Sequence, residues 1–172
     1  MTRPIAWLLA LLPAVAHAQI APDSPMVRAL REGRATAPLP GSRGARLVAQ
    51  KIMEQTGSAD EITVEFLRIA RFEAQPRCGR VAFGPYQKSS NTFWGQFGGQ
   101  VNICEDGTPP RRRCNGQAGL VPADTQCRDG SYPAETAEIK AAIAKAVADG
   151  SLTGGQFKAT SEAQRTTRGN QE

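Results

Sequence analysis

The chain has 172 residues, a formal net charge of +5, 40% hydrophobic and 22% charged residues, and a single histidine. That length suits one domain with an ordinary hydrophobic core, and the mild, scattered basic excess excludes the concentrated charge stripe of a nucleic-acid binder. The histidine is His17, inside a segment expected to be removed, so Ser-His-Asp, Cys-His and His-Glu-x-x-His chemistry is excluded from the mature chain.

Arg3 precedes an apolar run from Ile5 to Val15, and Ala16-His17-Ala18 has the form of an A-x-A cleavage site. Residues 1–18 are therefore expected to be a signal peptide. The run is far shorter than the roughly 20 residues a membrane-spanning helix needs. The first cysteine is Cys78, so no lipid-attachment site lies at the cleavage point, and no later segment reads as a span. Residues 19–44 are rich in Pro, Gly, Ala and Arg and read as a linker carrying one short helix. Ser24 caps it, Pro25 opens it, and Met26, Val27 and Leu30 form its apolar stripe.

From residue 45 to 150 the pattern predicts a single domain. Leu47, Val48, Ile52 and Met53 recur at helical spacing before Gly57. Ser58-Ala59-Asp60-Glu61 resembles a capping box, which predicts a second helix with Ile62, Phe66 and Ile69 on its buried face. Ile62, Val64 and Phe66 also alternate as a strand would. Beyond Pro76 the chain becomes β-like. Segments 81–87 and 92–103 predict a hairpin across Lys88-Ser89-Ser90-Asn91, with a register offset of about three residues absorbed near Gly95 or Gly98-Gly99. On its second strand Phe93, Phe97, Val101 and Ile103 alternate with Trp94, Gln96, Gln100 and Asn102. Such alternation predicts one face on a core and one toward solvent or a ligand.

All four cysteines, Cys78, Cys104, Cys114 and Cys127, lie within fifty residues, and export implies an oxidising compartment. Two disulfides are expected, and no zinc site, because no Cys-x-x-Cys pair or nearby histidine exists. The hairpin puts Cys78 and Cys104 at its open end, which favours Cys78 with Cys104 and Cys114 with Cys127. Two of the cysteines open copies of one motif, Cys-x-Asp-Gly-(Ser/Thr)-x-Pro, at 104–110 and 127–133. Asp-Gly supplies a positive-φ turn and proline stiffens its exit, so each copy reads as a braced turn rather than a calcium loop, whose D-x-D-x-D-G spacing is missing. Between them Arg111, Arg112 and Arg113 predict a basic surface loop. Ile139, Ile143 and Val147 predict a helix over 134–149, and residues 151–172 read as a polar, disordered tail. The fold class expected is α+β, a small disulfide-braced antiparallel β hairpin or sheet with N-terminal helices and one C-terminal helix.

Chemistry without histidine or free thiols is left to carboxylates, and Glu65, Glu73, Glu105 and Asp106 are the candidates for glycan hydrolysis. No P-loop or G-x-G-x-x-G pattern is present, so neither a nucleotide cofactor nor a metal is expected. Tyr86, Gln87, Trp94, Gln96, Gln100 and Asn102 form a candidate binding face, since an aromatic ring among amides suits a saccharide or an extended peptide. The alternative places Trp94 beneath a helix. The expectation is a non-enzymatic periplasmic or secreted protein with an envelope-assembly or binding role, whose partner is another envelope protein or an envelope polymer. The alternatives are a carboxylate-dependent glycan hydrolase and an inhibitor or immunity-type partner of a secreted enzyme, with 105–113 as its reactive loop.

Overall fold

A computed structural model describes residues 20–149, so the expected signal segment and polar tail lie outside the described residues. The chain is α+β. In order it forms α1 (Pro25–Glu32), β1 (Arg34–Pro38), α2 (Arg43–Thr56), β2 (Ile62–Arg71), β3 (Cys78–Gln87), β4 (Thr92–Phe93), a 3-10 turn at Gly95–Phe97, β5 (Gly99–Cys104), β6 (Arg112–Arg113), β7 (Leu120–Val121) and α3 (Ala137–Ala148). β1, β2 and β3 pair antiparallel in that order, and the far edge of β3 carries β4 and then β5. Two disulfides brace this frame, as an oxidising compartment permits. No helix among the described residues is long and apolar enough to cross a membrane.

The strand pattern prevails over the helix pattern in 62–71. Ser58 does not cap a helix, because its hydroxyl accepts from the Asp60 N–H two residues on, and the β-branched run Ile62-Thr63-Val64 fits a pleated sheet better than a helix. Pairing on both sides then fixes β2, with Glu65 opposite Thr36 of β1 and Gly84 of β3.

Within the expected linker, residues 20–38 belong to the domain. Ser24 caps α1 through the Val27 N–H, and Val27, Ala29 and Leu30 are fully buried against Ala35, Val81 and Ile103. This cluster occupies one sheet face, where the Phe66 and Phe83 rings stack at 6.2 Å. Each end of α1 is also tied down. Arg68 Nη1 and Arg71 Nη2 both donate to the Leu30 carbonyl, and Ile20 N–H donates to the Gly107 carbonyl. The sequence reads as a linker because its Pro and Gly residues mark tight connections between elements too short to show a long period.

On the opposite face α3 lays Ile139 on Phe72 and the Cys78–Cys104 disulfide, with Ala142 and Ile143 beside them. Thr136 caps α3 through the Ile139 N–H. Cys78 and Cys104 are direct cross-strand partners, so the hairpin's offset is fully absorbed by the 3-10 turn at Gly95–Phe97. Cys114 joins Cys127 and pins the small β6–β7 ribbon. These are the two pairs that the hairpin geometry favours.

The two Cys-x-Asp-Gly motifs fold alike. In the first, the Cys104 N–H donates to the Thr108 carbonyl and the Gly107 N–H to the Cys104 carbonyl; in the second, Cys127 to Ser131 and Gly130 to Cys127. Asp106 Oδ1 accepts from the Thr108 N–H and hydroxyl at 3.0 and 2.7 Å, and Asp129 Oδ1 from those of Ser131 at 3.0 and 2.6 Å. These bonds stabilise the ionised form and hold both aspartates below the ordinary carboxylate range. The copies differ in surroundings: Gly107 is buried against the Ile20 carbonyl, and Gly130 is exposed.

Candidate functional site

Past the end of α3, the same sheet face opens into a cleft of about 420 Å³. Its floor is strand side chains: Arg34 and Thr36 from β1, Thr63 and Glu65 from β2, and Tyr86 from β3. These positions share a face because the register pairs Thr36 with Glu65 and Thr63 with Tyr86. Asp60, Glu61 and Lys88 form the rim.

Glu65 is 2% exposed, whereas the Arg34 side chain beside it is 51% exposed. Arg34 Nε meets Glu65 Oε1 as a charge contact, and its guanidinium carbon lies 5.7 Å from the centroid of the Tyr86 ring. That contact sets the Arg34 guanidinium directly against the buried carboxylate oxygen. Burial pushes the Glu65 carboxyl above its ordinary range, and the Arg34 charge offsets only part of that rise. A desolvated carboxylate at the floor of a cleft, beside a half-exposed arginine, is the feature of this surface that invites a ligand.

No family model, curated protein or solved structure matches this chain. The cleft's chemistry therefore rests on its own side chains. Its acids, Asp60, Glu61 and Glu65, outnumber its bases, Arg34 and Lys88, by one.

The predicted amide face does not assemble. The 3-10 turn breaks the alternation between Phe93 and Gly99, so Trp94 and Gln96 leave the face that Gln100 and Asn102 occupy. Gln87 is fully buried, donating to the Ser58 carbonyl and accepting from the Ser90 hydroxyl. Gln100 and Asn102 turn inward and accept from Arg80 at 2.5 and 2.7 Å. Trp94 stacks on Phe97 at 6.5 Å and has its Nε1 buried. Tyr86 alone reaches the cleft, its hydroxyl donating to Asn91.

The expected basic surface loop, Arg111, Arg112 and Arg113, is instead anchored, with Arg112–Arg113 forming β6. The Arg111 backbone is held at both its N–H and its carbonyl by the nearly buried Gln75 amide. Arg112 pairs with Glu135 at 3.3 Å, and Arg113 bridges to Ala134 as well as Leu120. Strand alternation sends neighbouring arginines to opposite sides, which splits the patch.

The predicted carboxylates also fail to converge. Glu105 pairs with Arg71 at 2.8 Å and Arg77 at 3.5 Å, and its hydrogen bond from Arg71 holds its carboxyl below the ordinary range. Glu73 follows the end of β2, and at about 3.3 Å per residue it lies roughly 20 Å or more along the strand direction from Glu65. Among the described residues no group of three or more His, Cys, Asp or Glu side chains could hold a metal ion.

The sequence pointed to Glu65 and Tyr86 but not to the other residues of the cleft. Arg34 and Thr36 fell in the supposed linker, although Arg34-Ala35-Thr36-Ala37 alternates as an edge strand. Asp60 and Glu61 sit in the connection before β2 and Lys88 in the turn after β3, where charge carries no periodic signal.

Proposed function

We propose that this is an exported, periplasmic or secreted protein without enzymatic activity, which serves envelope assembly or binding through surface contact at the Arg34–Glu65 cleft. The observation that carries the reading is the buried Glu65 carboxylate, set beside a half-exposed Arg34 at the floor of a charged cleft whose acids outnumber its bases. A lysine or arginine side chain from a partner would balance the extra acid of the lining. Another envelope protein presenting a basic segment fits this chemistry better than an anionic polymer, because the three arginines at 111–113 do not form one surface.

Glycan hydrolysis is the second reading, and one observation favours it: a carboxyl raised by burial shares the cleft with Asp60 and Glu61. The inhibitor reading has less support. Its expected reactive loop, 105–113, is anchored by the Cys104 turn, the buried Pro110 and the Gln75 clamp.

The test is capture from an envelope extract by the immobilised, oxidised mature chain, run beside Glu65→Gln, Thr36→Trp and the control Leu47→Ala. A protein retained by wild type and the control but lost from both cleft variants supports the reading. Equal retention by all four contradicts it, as does turnover of an envelope glycan that Glu65→Gln abolishes.

A further inference from the structure

Arg80 is the charged side chain that the fold explains least. It sits on β3, one residue before Val81, and is 3% exposed. Nε donates to Gln100 Oε1 and Nη1 to Asn102 Oδ1, both neutral amides. The acid whose field reaches Arg80 is Glu135, already paired with Arg112 at 3.3 Å. Burying a cation without its own counter-ion is unfavourable unless something supplies the opposite charge.

A small cavity of about 90 Å³ lies against this guanidinium, between the sheet and α3. Ile69, Ala142 and Ala146 form its apolar wall, Gln100 its polar wall, and Lys145 with Asp149 its rim. The two rim charges pair with each other at 2.9 Å, so the charge inside the cavity is that of Arg80. The volume is several times the ~10–15 Å³ that one water requires. Because Gln100 Oε1 faces Arg80, its amide N–H groups remain as further donors.

We infer that this cavity is a binding site for a small oxyanion, held by the Arg80 guanidinium and the Gln100 amide that line it. The geometry is the charge-assisted kind that recognises phosphate, sulfate or carboxylate oxygens. The site is separate from the Arg34–Glu65 cleft and stands or falls independently of it.

Calorimetric titration of the oxidised mature protein with inorganic phosphate, sulfate and acetate, against chloride at equal ionic strength, tests the site. Saturable one-to-one binding of an oxyanion at least tenfold tighter than chloride is expected, and acetate against phosphate separates a carboxylate source from a phosphate source. Arg80→Gln should abolish it. Because that variant can fail to fold, Ala142→Leu is measured beside it, filling the cavity while leaving the guanidinium in place; it should lose at least tenfold in oxyanion affinity. Binding no tighter than chloride would make the cavity a water pocket, and binding that survives Ala142→Leu would place the anion elsewhere; either result overturns the assignment.

Discussion

Replacing Leu30 with alanine asks whether the N-terminal segment belongs to the domain. Leu30 is fully buried among Val27, Ala29, Ala35, Val81 and Ile103. Its Cδ1 would lie 2.8 Å from a Cβ built on Gly79, so the side chain fills the space directly above the sheet. Truncation removes the transfer energy of the lost carbons and leaves a cavity that the flanking strands cannot close, at a cost of about 3 kcal/mol, within the usual 2–5 for buried Leu→Ala. For a domain of this size that is a fall in Tm of about 10 °C. Urea denaturation followed by circular dichroism measures it, with Leu47→Ala as the control. Leu47 is 58% exposed on α2, and its truncation should change stability by no more than about 0.5 kcal/mol. If Leu30→Ala loses less than about 1 kcal/mol, or no more than the control, α1 is not part of the core and the fold account is wrong.

The two braced turns provide an internal comparison. Gly107 and Gly130 have φ of +81° and +79°, so alanine at either position bears left-handed strain of about 1–2 kcal/mol. A Cβ at 107 also strikes the Ile20 carbonyl, whereas one at 130 meets nothing within 4 Å. Gly107→Ala should therefore be measurably less stable than Gly130→Ala in thermal melts, and equal losses would remove Ile20 from the packing. The two glutamates should give opposite pH slopes in denaturant titrations between pH 3 and pH 8. Glu105 is held low by Arg71, so its stabilisation is present above the unfolded-state value and lost as pH falls through the folded one. Glu105→Gln should thus cost up to about 1 kcal/mol at neutral pH and nothing in acid. Glu65 is raised by burial, so the folded protein loses stability as pH rises from the unfolded value through the folded one. Glu65→Gln should become more favourable relative to wild type as pH rises, and a trend in the other direction would mean that Arg34 outweighs burial.

What the sequence made legible was local and periodic. Helices α2 and α3, the 88–91 turn and both braced turns follow from spacing and turn chemistry within a few residues. The cysteine pairs followed from the hairpin, because a bridge at its open end needs only the pairing of two neighbouring strands. Tertiary pairing decided the rest. Residues 62–66 carry both a helix and a strand pattern, and β1 and β3 on either side select the strand. The amide face dissolved because a three-residue 3-10 turn shifts the phase between Trp94 and Gln100, which no alternation count reveals. The cleft drew its Arg34 and Thr36 from an edge strand five residues long, too short for periodicity to register.

Site-specific photo-crosslinking at Thr36 reports on binding through the cleft, because this exposed residue lines it as the cross-strand partner of Glu65. A crosslinker placed there in the oxidised mature protein, exposed to envelope extract, should yield one discrete adduct to a protein with a basic segment. Glu65→Gln should abolish that adduct, and a crosslinker at exposed Ala144 on α3 should not form it. An adduct that forms equally at Ala144, or that persists in Glu65→Gln, would contradict binding through the Arg34–Glu65 cleft.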